Sequence, residues 1–274
     1  MTAPLQRPPR RWCPTPCLML SAVVHVAALA SLIVQPAHWA LPLLALGVNH
    51  LLLTAAGLWP RSRLLGPNWS RLPATAAARR EIAITIDDGP DAEVTPAVLE
   101  LLAAHHAQAT FFCIGSRAEQ HPGLVAEIVR RGHDVENHSQ HHRHSFSLLG
   151  PAGFEHEVSA GQATLARLSG RRPQFFRCPA GLRNPFLEPV LVRHDLQLAS
   201  WTRRGFDTRE RDPRKVLARL AKGLAAGDIL LLHDGHAARS RASGRPLILE
   251  VLPSLLATCA AAGLRPVSLS AARK

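Results

Sequence analysis

The chain has 274 residues, enough for one catalytic domain plus an additional segment, and its formal net charge is +12. Only three of its 32 basic residues are lysines, and the arginines are scattered without the interleaved aromatic residues of an RNA-binding surface, which argues against nucleic acid as a partner. General enrichment in Arg and Ala accounts for most of the charge, and affinity for anionic lipid is the alternative explanation.

Two apolar runs without charged residues precede residue 60. They cover residues 17–34 and 39–59, and each is close to the ~20 residues that cross a bilayer as a helix. Only four residues separate them, so we predict a two-helix transmembrane hairpin over 17–59, preceded by a basic tail at 1–16. A cleaved signal peptide is the alternative interpretation of the first run. The polar residues His25, Asn49 and His50 are expected to hydrogen-bond between the helices.

The distribution of arginines predicts the orientation of this hairpin. Positive charge beside short segments marks the cytoplasmic side, and the turn between the runs has no Lys or Arg. We therefore expect an inner-membrane protein whose catalytic domain faces the cytoplasm, with an exported domain as the alternative. Five cysteines without a disulfide pattern agree with a reducing compartment. The flanking arginines are Arg7, Arg10 and Arg11 before the hairpin and Arg61, Arg63, Arg71, Arg79 and Arg80 after it.

Residues 60–80 form a predicted Arg-, Pro- and Ala-rich linker, and residues 81–270 alternate short apolar strands with amphipathic helices. This alternation predicts an α/β domain with a parallel sheet and helical crossovers, too short for a full eight-stranded barrel. The predicted strands are 82–86, 110–114, 134–137, 175–177, 196–201, 229–232 and 265–268. The predicted helices are 95–106, 122–131, 154–168, 185–193, 213–224 and 247–262.

Polar residues follow five of the predicted strands at the point where each strand ends. In a β/α barrel these ends share one face, where sites are built. Each cluster alone is also typical of an ordinary turn or a capped strand end. Together they supply the components of a hydrolytic metal centre, in which two histidines and a carboxylate suit Zn²⁺ or another divalent ion. The clusters contain Asp87 and Asp88, His138 and His142, Arg177, Trp201 followed by Asp207, and His233 with Asp234.

The two histidines that follow the third predicted strand are four residues apart. One helical turn would place the imidazoles of His138 and His142 on the same face, as a pair of metal ligands requires. Two histidines and one carboxylate also form the iron site of non-haem oxygenases. Such oxygenases do not need Asp87, Arg177 and His233 in addition, so a hydrolase is favoured.

Four motifs occur in an order that resembles the NodB-homology polysaccharide deacetylases, carbohydrate esterase family four. They are residues 85–90 (TIDDGP), 138–142 (HSQHH), 177–181 (RCPAG) and 230–234 (LLLHD). The resemblance covers about residues 80–270. It implies a distorted seven-stranded (β/α) barrel, here preceded by the two transmembrane helices, that removes N- or O-acetyl groups from sugars.

The resemblance also implies roles for five of these residues. Asp87 corresponds to the general base and His233 to the general acid. Asp88, His138 and His142 correspond to the ligands of one divalent metal ion. Zn²⁺ is the favoured ion, with Co²⁺, Ni²⁺ or Mn²⁺ as alternatives.

Further residues are expected to orient these groups or to line the substrate pocket. By resemblance, Arg177 orients the base, Asp207 steadies the acid, and the backbone N–H of Ala180 donates to the oxyanion. Because side chains two apart on a strand share a face, Leu231 should point the same way as His233. We expect Leu231 and Trp201 to form a small apolar slot for the acyl methyl group.

Two departures from the family pattern bear on the substrate. Many relatives have an aromatic residue at the position of Ala180 and a Trp at that of Thr208, and this chain has no Tyr. The loss of aromatic surface for stacking on sugars favours a small or lipid-linked glycan over a long polymer.

The sequence therefore predicts a metal-dependent hydrolase that removes an N-acetyl or similar acyl group from an amino sugar in a polysaccharide, oligosaccharide or lipid-linked glycan. Its expected partners are the glycan substrate and membrane lipids. A deformylase or deacetylase specific for a lipid-linked sugar is one alternative. A non-catalytic glycan-binding barrel is the other, although none of the polar catalytic residues is missing.

Overall fold

The computed structural model describes residues 10–273, so Arg7 and the rest of residues 1–9 of the predicted tail lie outside the described residues. The two apolar runs form helices α1 (Pro16–Val34) and α2 (Ala40–Leu58), joined by a short 3₁₀ turn. Both are long and apolar enough to cross a membrane, although length and composition alone do not separate a span from a signal sequence. Of the three polar residues expected to hydrogen-bond between the helices, Asn49 does so: its amide donates to Ser21 Oγ at 3.0 Å. His25 Nδ1 instead lies 2.7 Å from the Ser21 carbonyl oxygen of its own helix, and its ring packs edge-on against His50.

Beyond the hairpin, one parallel sheet is surrounded by helices. Seven strands follow the order β5-β4-β3-β2-β1-β7-β6, and a short eighth strand, β8, pairs with the start of β1. The sheet is the predicted distorted (β/α) barrel. The strands are β1 (Glu81–Asp87), β2 (Ala109–Cys113), β3 (Asp134–Asn137), β4 (Phe175–Phe176), β5 (Gln197–Leu198), β6 (Arg203–Arg204), β7 (Ile229–His233) and β8 (Arg265–Val267).

Further helices pack around the sheet, most of them on its outside, whereas the helices that contain Ala76 and Leu269 contribute to the inner cluster. These further helices are α3 (Ala74–Ala78), α4 (Val94–Ala104), α5 (Gly115–Gln120), α6 (Pro122–Arg130), α7 (Pro151–Ser169), α8 (Leu187–Arg193), α9 (Pro213–Ala221), α10 (Leu247–Ala261) and α11 (Leu269–Ala272). Two differences from the sequence prediction concern the strands. The strand expected over 196–201 is only Gln197–Leu198, and β6 was not predicted because its two arginines have no apolar alternation.

The alternation of side chains between the two faces of the central strands determines which residues reach the site. In β1, Ile84 and Ile86 pack into the outer core against the helices, whereas Ala83 belongs to the inner cluster with Leu231. Successive side chains of a strand point to opposite faces, so Asp87 continues the inner face at the end of β1. The strands β1 and β7 are paired in register so that Asp87 lies opposite His233.

Candidate active site

Polar side chains from the ends of several strands meet in one cavity of about 680 Å³. Asp87 ends β1 and His233 ends β7, while His138 directly follows β3 and Arg177 follows β4. The prediction that these strand ends share one face is therefore correct. Among the residues that line the cavity are Asp87, Asp88, His138, His142, Ala180, Trp201, Leu231 and His233.

Asp88, His138 and His142 converge on one point. Each offers a ligand atom, and the three atoms lie within 4.8 Å of one another. Asp88 Oδ1 is 3.3 Å from His138 Nε2 and 3.2 Å from His142 Nε2. This carboxylate oxygen is buried and has no hydrogen-bond donor. A buried oxygen without a donor, facing two imidazole nitrogens, fits a divalent cation between the three atoms.

The protonation of these groups also suits metal binding. Burial and the neighbouring His138 lower the pKa of His142 to about 4, so its imidazole is neutral at neutral pH. Burial disfavours the charged form of Asp88, but His138 and His236 outweigh it and hold the pKa of that carboxyl below its ordinary range. His138 Nδ1 lies 2.8 Å from the carbonyl oxygen of Arg177. A proton on Nδ1 donated to this oxygen leaves Nε2 free to coordinate.

The backbone that brings the two histidines together is a strained loop, which corrects the expectation of a helical turn. No helix covers residues 138–142, and Ser139 and His142 have φ of 65° and 50°. Asp88 is left-handed as well, at φ 74°. Such conformations cost on the order of 1–3 kcal/mol each and cluster at functional sites. The loop is supported by a hydrogen bond from His142 N to Ser139 Oγ (3.0 Å).

Asp87 is fixed by the buried guanidinium of Arg177. Arg177 Nη1 donates to Asp87 Oδ1 at 2.7 Å and to Thr85 Oγ1 at 2.7 Å. Its other nitrogens donate to the carbonyl oxygens of Ala199 and Ser200, and its Cζ lies 4.1 Å from the centroid of the Phe112 ring. These contacts fix the orientation of the guanidinium. It binds Asp87 Oδ1, and the second carboxylate oxygen, Oδ2, is left to face the cavity.

His233 is held in the same way by Asp207, which is fully buried. Asp207 Oδ1 lies 2.9 Å from His233 Nδ1, and Oδ2 accepts from the His233 backbone N–H at 2.8 Å. Burial disfavours the imidazolium, but the Asp207 charge and hydrogen bond outweigh it and raise the pKa of His233 to about 9. The side chain is therefore protonated at neutral pH. A buried His–Asp pair of this kind is typical of a general acid.

The residues predicted to form the substrate pocket also line the cavity. Trp201 and Leu231 are both buried and line the same cavity as His233. Ala180 lies in a 3₁₀ turn after β4 with φ of 54°, at the exposed edge of the same cavity. The structure thus brings together every candidate that the sequence suggested.

Among the lining residues that were not predicted, Arg117 and His236 contact Asp88. Arg117 Nη1 donates to the Asp88 carbonyl oxygen at 2.8 Å, and its Nη2 lies 2.8 Å from His236 Nε2. His236 Nδ1 is in turn 3.5 Å from Asp88 Oδ2. His236 is only two residues after the LLLHD motif and could have been suspected on that ground, whereas nothing in the sequence around Arg117 indicates the contact.

Fold and site together are those of a hydrolase that deacetylates sugars. Residues 74–199 match the sequence model of the family described as Polysaccharide deacetylase. A peptidoglycan-N-acetylglucosamine deacetylase of Bacillus cereus is 34% identical over 176 residues, which are 64% of this chain and 81% of the relative. The chain therefore belongs to the polysaccharide deacetylase family, whose members hydrolyse the acetamido groups of sugars.

Other relatives agree with this assignment. A chitooligosaccharide deacetylase of Azorhizobium caulinodans is 34% identical over 56% of this chain and 73% of the relative. The solved structure of a family 4 carbohydrate esterase from Streptomyces lividans, in complex with acetate, has a TM-score of 0.61 at 30% identity and covers 68% of this chain and 91% of the esterase. Some peptidoglycan deacetylases are longer, and the chain spans 36% or 37% of their length.

Proposed function

We propose that this protein is a metal-dependent N-deacetylase that acts on an amino sugar of a glycan. The observation that carries the proposal is the buried, unpartnered Asp88 Oδ1, which faces two imidazole nitrogens in a cavity that also holds Asp87 and His233. Two nitrogen donors and one oxygen donor suit Zn²⁺, with Co²⁺, Ni²⁺ or Mn²⁺ as alternatives. Asp88, His138 and His142 are the proposed ligands.

When bound there, a divalent ion would supply Lewis-acid chemistry, polarising the acyl oxygen and lowering the pKa of water. The protein supplies the proton transfers. Asp87, oriented by Arg177, accepts a proton from the attacking water. His233, kept protonated by Asp207, donates a proton to the amide nitrogen so that the amine can leave.

The remaining groups of the pocket have supporting roles in this proposal. The backbone N–H of Ala180 donates to the oxygen that becomes negatively charged in the transition state. Trp201 and Leu231 form the apolar slot for the acyl methyl group and keep water from that side of the site. A formyl group is smaller than an acetyl group and would fit the same slot, so a deformylase acting on a lipid-linked sugar is the second candidate.

The domain organisation completes the proposal. A basic tail at 1–16 precedes a transmembrane hairpin at 17–59, a connecting segment at 60–80 that pairs with the domain at Trp69, and the deacetylase domain at 81–270. The charge pattern favours a domain on the cytoplasmic face of the inner membrane. A C-terminal alkaline phosphatase fusion tests this orientation, because high phosphatase activity would require an exported domain.

The proposed chemistry is tested by product analysis. The purified full-length chain, supplied with Zn²⁺, is incubated with chitooligosaccharides and with N-acetylglucosamine-containing glycolipids, and free acetate and the new amine are measured by mass spectrometry. We expect acetate and amine in equal amounts, and neither from His142→Ala. Acetate without the amine would indicate an O-deacetylase. Equal turnover by His142→Ala would contradict the proposed metal centre.

A further inference from the structure

The end of the second hairpin helix is fastened to the wall of the catalytic cavity. In the last turn of α2, Gly57 lies so close to the catalytic domain that a Cβ on it would collide with the Arg183 carbonyl oxygen. The Arg183 N–H donates to the Gly57 carbonyl oxygen at 3.1 Å. Three residues later, Pro60 abuts Gly181, where an added Cβ would be 2.9 Å from Pro60 Cβ and 2.5 Å from the Trp201 ring. Both Gly181 and Trp201 line the cavity.

Several hydrogen bonds rigidify this junction. The Pro60 carbonyl oxygen accepts from Ser200 Oγ and from the Asn68 amide. Arg61 Nη1 donates to the Thr202 carbonyl oxygen at 3.3 Å. The donor Ser200 and the acceptor Thr202 flank Trp201, so the segment that forms the cavity wall also holds the end of the hairpin. The hairpin is therefore a fixed support of the site rather than a flexible tether.

Exposed tryptophans lie at both ends of the hairpin, as expected where a span meets the two membrane interfaces: Trp39 lies at the turn, and two others lie at the end that joins the catalytic domain. Trp12 precedes α1, Trp59 follows α2, and both are largely exposed. Thr15 Oγ1 donates to the Leu64 carbonyl oxygen at 2.6 Å, which holds the two ends of the hairpin together. Tryptophan is enriched at the level of the lipid headgroups. With the hairpin in a bilayer, the wall of the cavity formed by Gly181 and Trp201 lies beside the headgroups.

The same wall carries a cation without an ionic partner. Arg204 lines the cavity, and its guanidinium carbon lies 5.4 Å from the centroid of the Trp201 ring and 5.1 Å from that of Phe206. Its Nε is buried and has no hydrogen-bond partner. Among the described residues, no carboxylate forms an ion pair with Arg204, whereas Arg143, another arginine of the cavity, pairs with Glu157 at 3.1 Å.

An unpaired guanidinium stacked on aromatic rings is suited to bind a phosphate, because its planar donors match phosphate oxygens. Resting on the proposed deacetylase activity and on the membrane hairpin, we infer that the substrate is an amphiphile. Its amino sugar enters the cavity, its phosphate or diphosphate linkage contacts Arg204, and its lipid tail stays in the leaflet next to α2. The anchor and Arg204 thus select a phosphate-linked glycolipid over a soluble neutral glycan.

The test varies the phosphate and the tail independently. Acetate release by the full chain in phospholipid vesicles is measured with four forms of N-acetylglucosamine: polyprenyl diphosphate-linked, neutral alkyl glycoside, water-soluble 1-phosphate and neutral oligosaccharide. The same four are tested with Arg204→Gln and Arg204→Lys. Arg214→Gln is the matched control, because Arg214 is exposed and lies outside this cavity. Circular dichroism and thermal denaturation establish that each variant folds.

We expect kcat/KM to be highest for the polyprenyl diphosphate form and to fall roughly tenfold or more when the phosphate is removed, the loss typical of one charge-assisted hydrogen bond. Removal of the tail should lower it again. Arg204→Gln should reduce the phosphate preference by a similar factor, Arg204→Lys by less, and Arg214→Gln not at all. Equal kcat/KM for the neutral oligosaccharide, or a phosphate preference unaffected by Arg204→Gln, would overturn the inference but not the deacetylase assignment. If none of the four is deacetylated, the proposed function itself fails, and the inference with it.

Discussion

Replacement of Asp207 by asparagine tests how the structure keeps His233 protonated. The rise of the His233 pKa from its ordinary 6.5 to about 9 corresponds to roughly 3 kcal/mol in favour of the imidazolium. Burial alone would lower this pKa, so the increase comes mainly from the Asp207 carboxylate. The asparagine side chain keeps the shape but removes the charge, and it leaves one acceptor oxygen for two donors, His233 Nδ1–H and the His233 backbone N–H. In Asp207→Asn the pKa of His233 should therefore fall by well over one unit.

The consequence appears in the pH profile of kcat/KM. In the wild type, loss of the His233 proton should place the alkaline limb near pH 9. In Asp207→Asn the limb should move towards neutral pH, so that activity at pH 8 falls by on the order of tenfold and recovers in more acidic buffer. The assay is acetate release between pH 5.5 and 10 at saturating metal. All other charged groups are the same in the wild type and in Asp207→Asn, so their effect on the His233 pKa cancels when the two profiles are compared.

Asp195→Asn is the matched control, because Asp195 is exposed, lies outside the cavity and has a left-handed φ that asparagine tolerates. It should leave the profile unchanged. If Asp207→Asn lowers activity equally at every pH and leaves the alkaline limb in place, His233 is not the acid whose proton limits the reaction.

Three further perturbations have defined outcomes. Asp87→Asn should lower kcat by roughly 10²–10⁴ while the metal content, measured by elemental analysis, stays at the wild-type level; near-full activity would refute its role as the base. Leu231→Ala should enlarge the acyl slot and change the ratio of acetyl to formyl hydrolysis, and an unchanged ratio would place the slot elsewhere. Gly57→Val should push α2 away from the Arg183 carbonyl oxygen and lower the melting temperature of the protein in detergent, whereas Gly47→Val, with nothing within 4 Å of the added Cβ, should not.

Much of the barrel and of the site was predictable from sequence because the evidence was local. The β1 and β7 segments are apolar runs that end in Asp87 and His233, and parallel strands bring such ends to one face. The assignment of each role required the family resemblance, because spacing alone does not distinguish Asp87 from Asp88. Composition does not assign the roles either, because ordinary turns and caps contain the same residue types as these motifs.

The features that were missed depend on tertiary contacts. The pair His138 and His142 is joined by left-handed residues rather than a helical turn, and a spacing of four does not reveal this. The two-residue strand β6 has no apolar pattern, so the position of Arg204 on the cavity wall was not foreseeable. Residues 60–80 were expected to be a linker, but Trp69 pairs with Ala199 beside β5 through backbone hydrogen bonds, which depend little on residue type.

The central claim is that one divalent ion held by Asp88, His138 and His142 enables hydrolysis of a sugar acetamide. The most direct measurement is acetate release followed in parallel with metal content as the ion is removed by a chelator and then restored by titration with Zn²⁺. We predict that activity disappears with the ion and returns in proportion to bound Zn²⁺, reaching its maximum at one equivalent per chain. Full activity in protein shown to be metal-free would contradict the account.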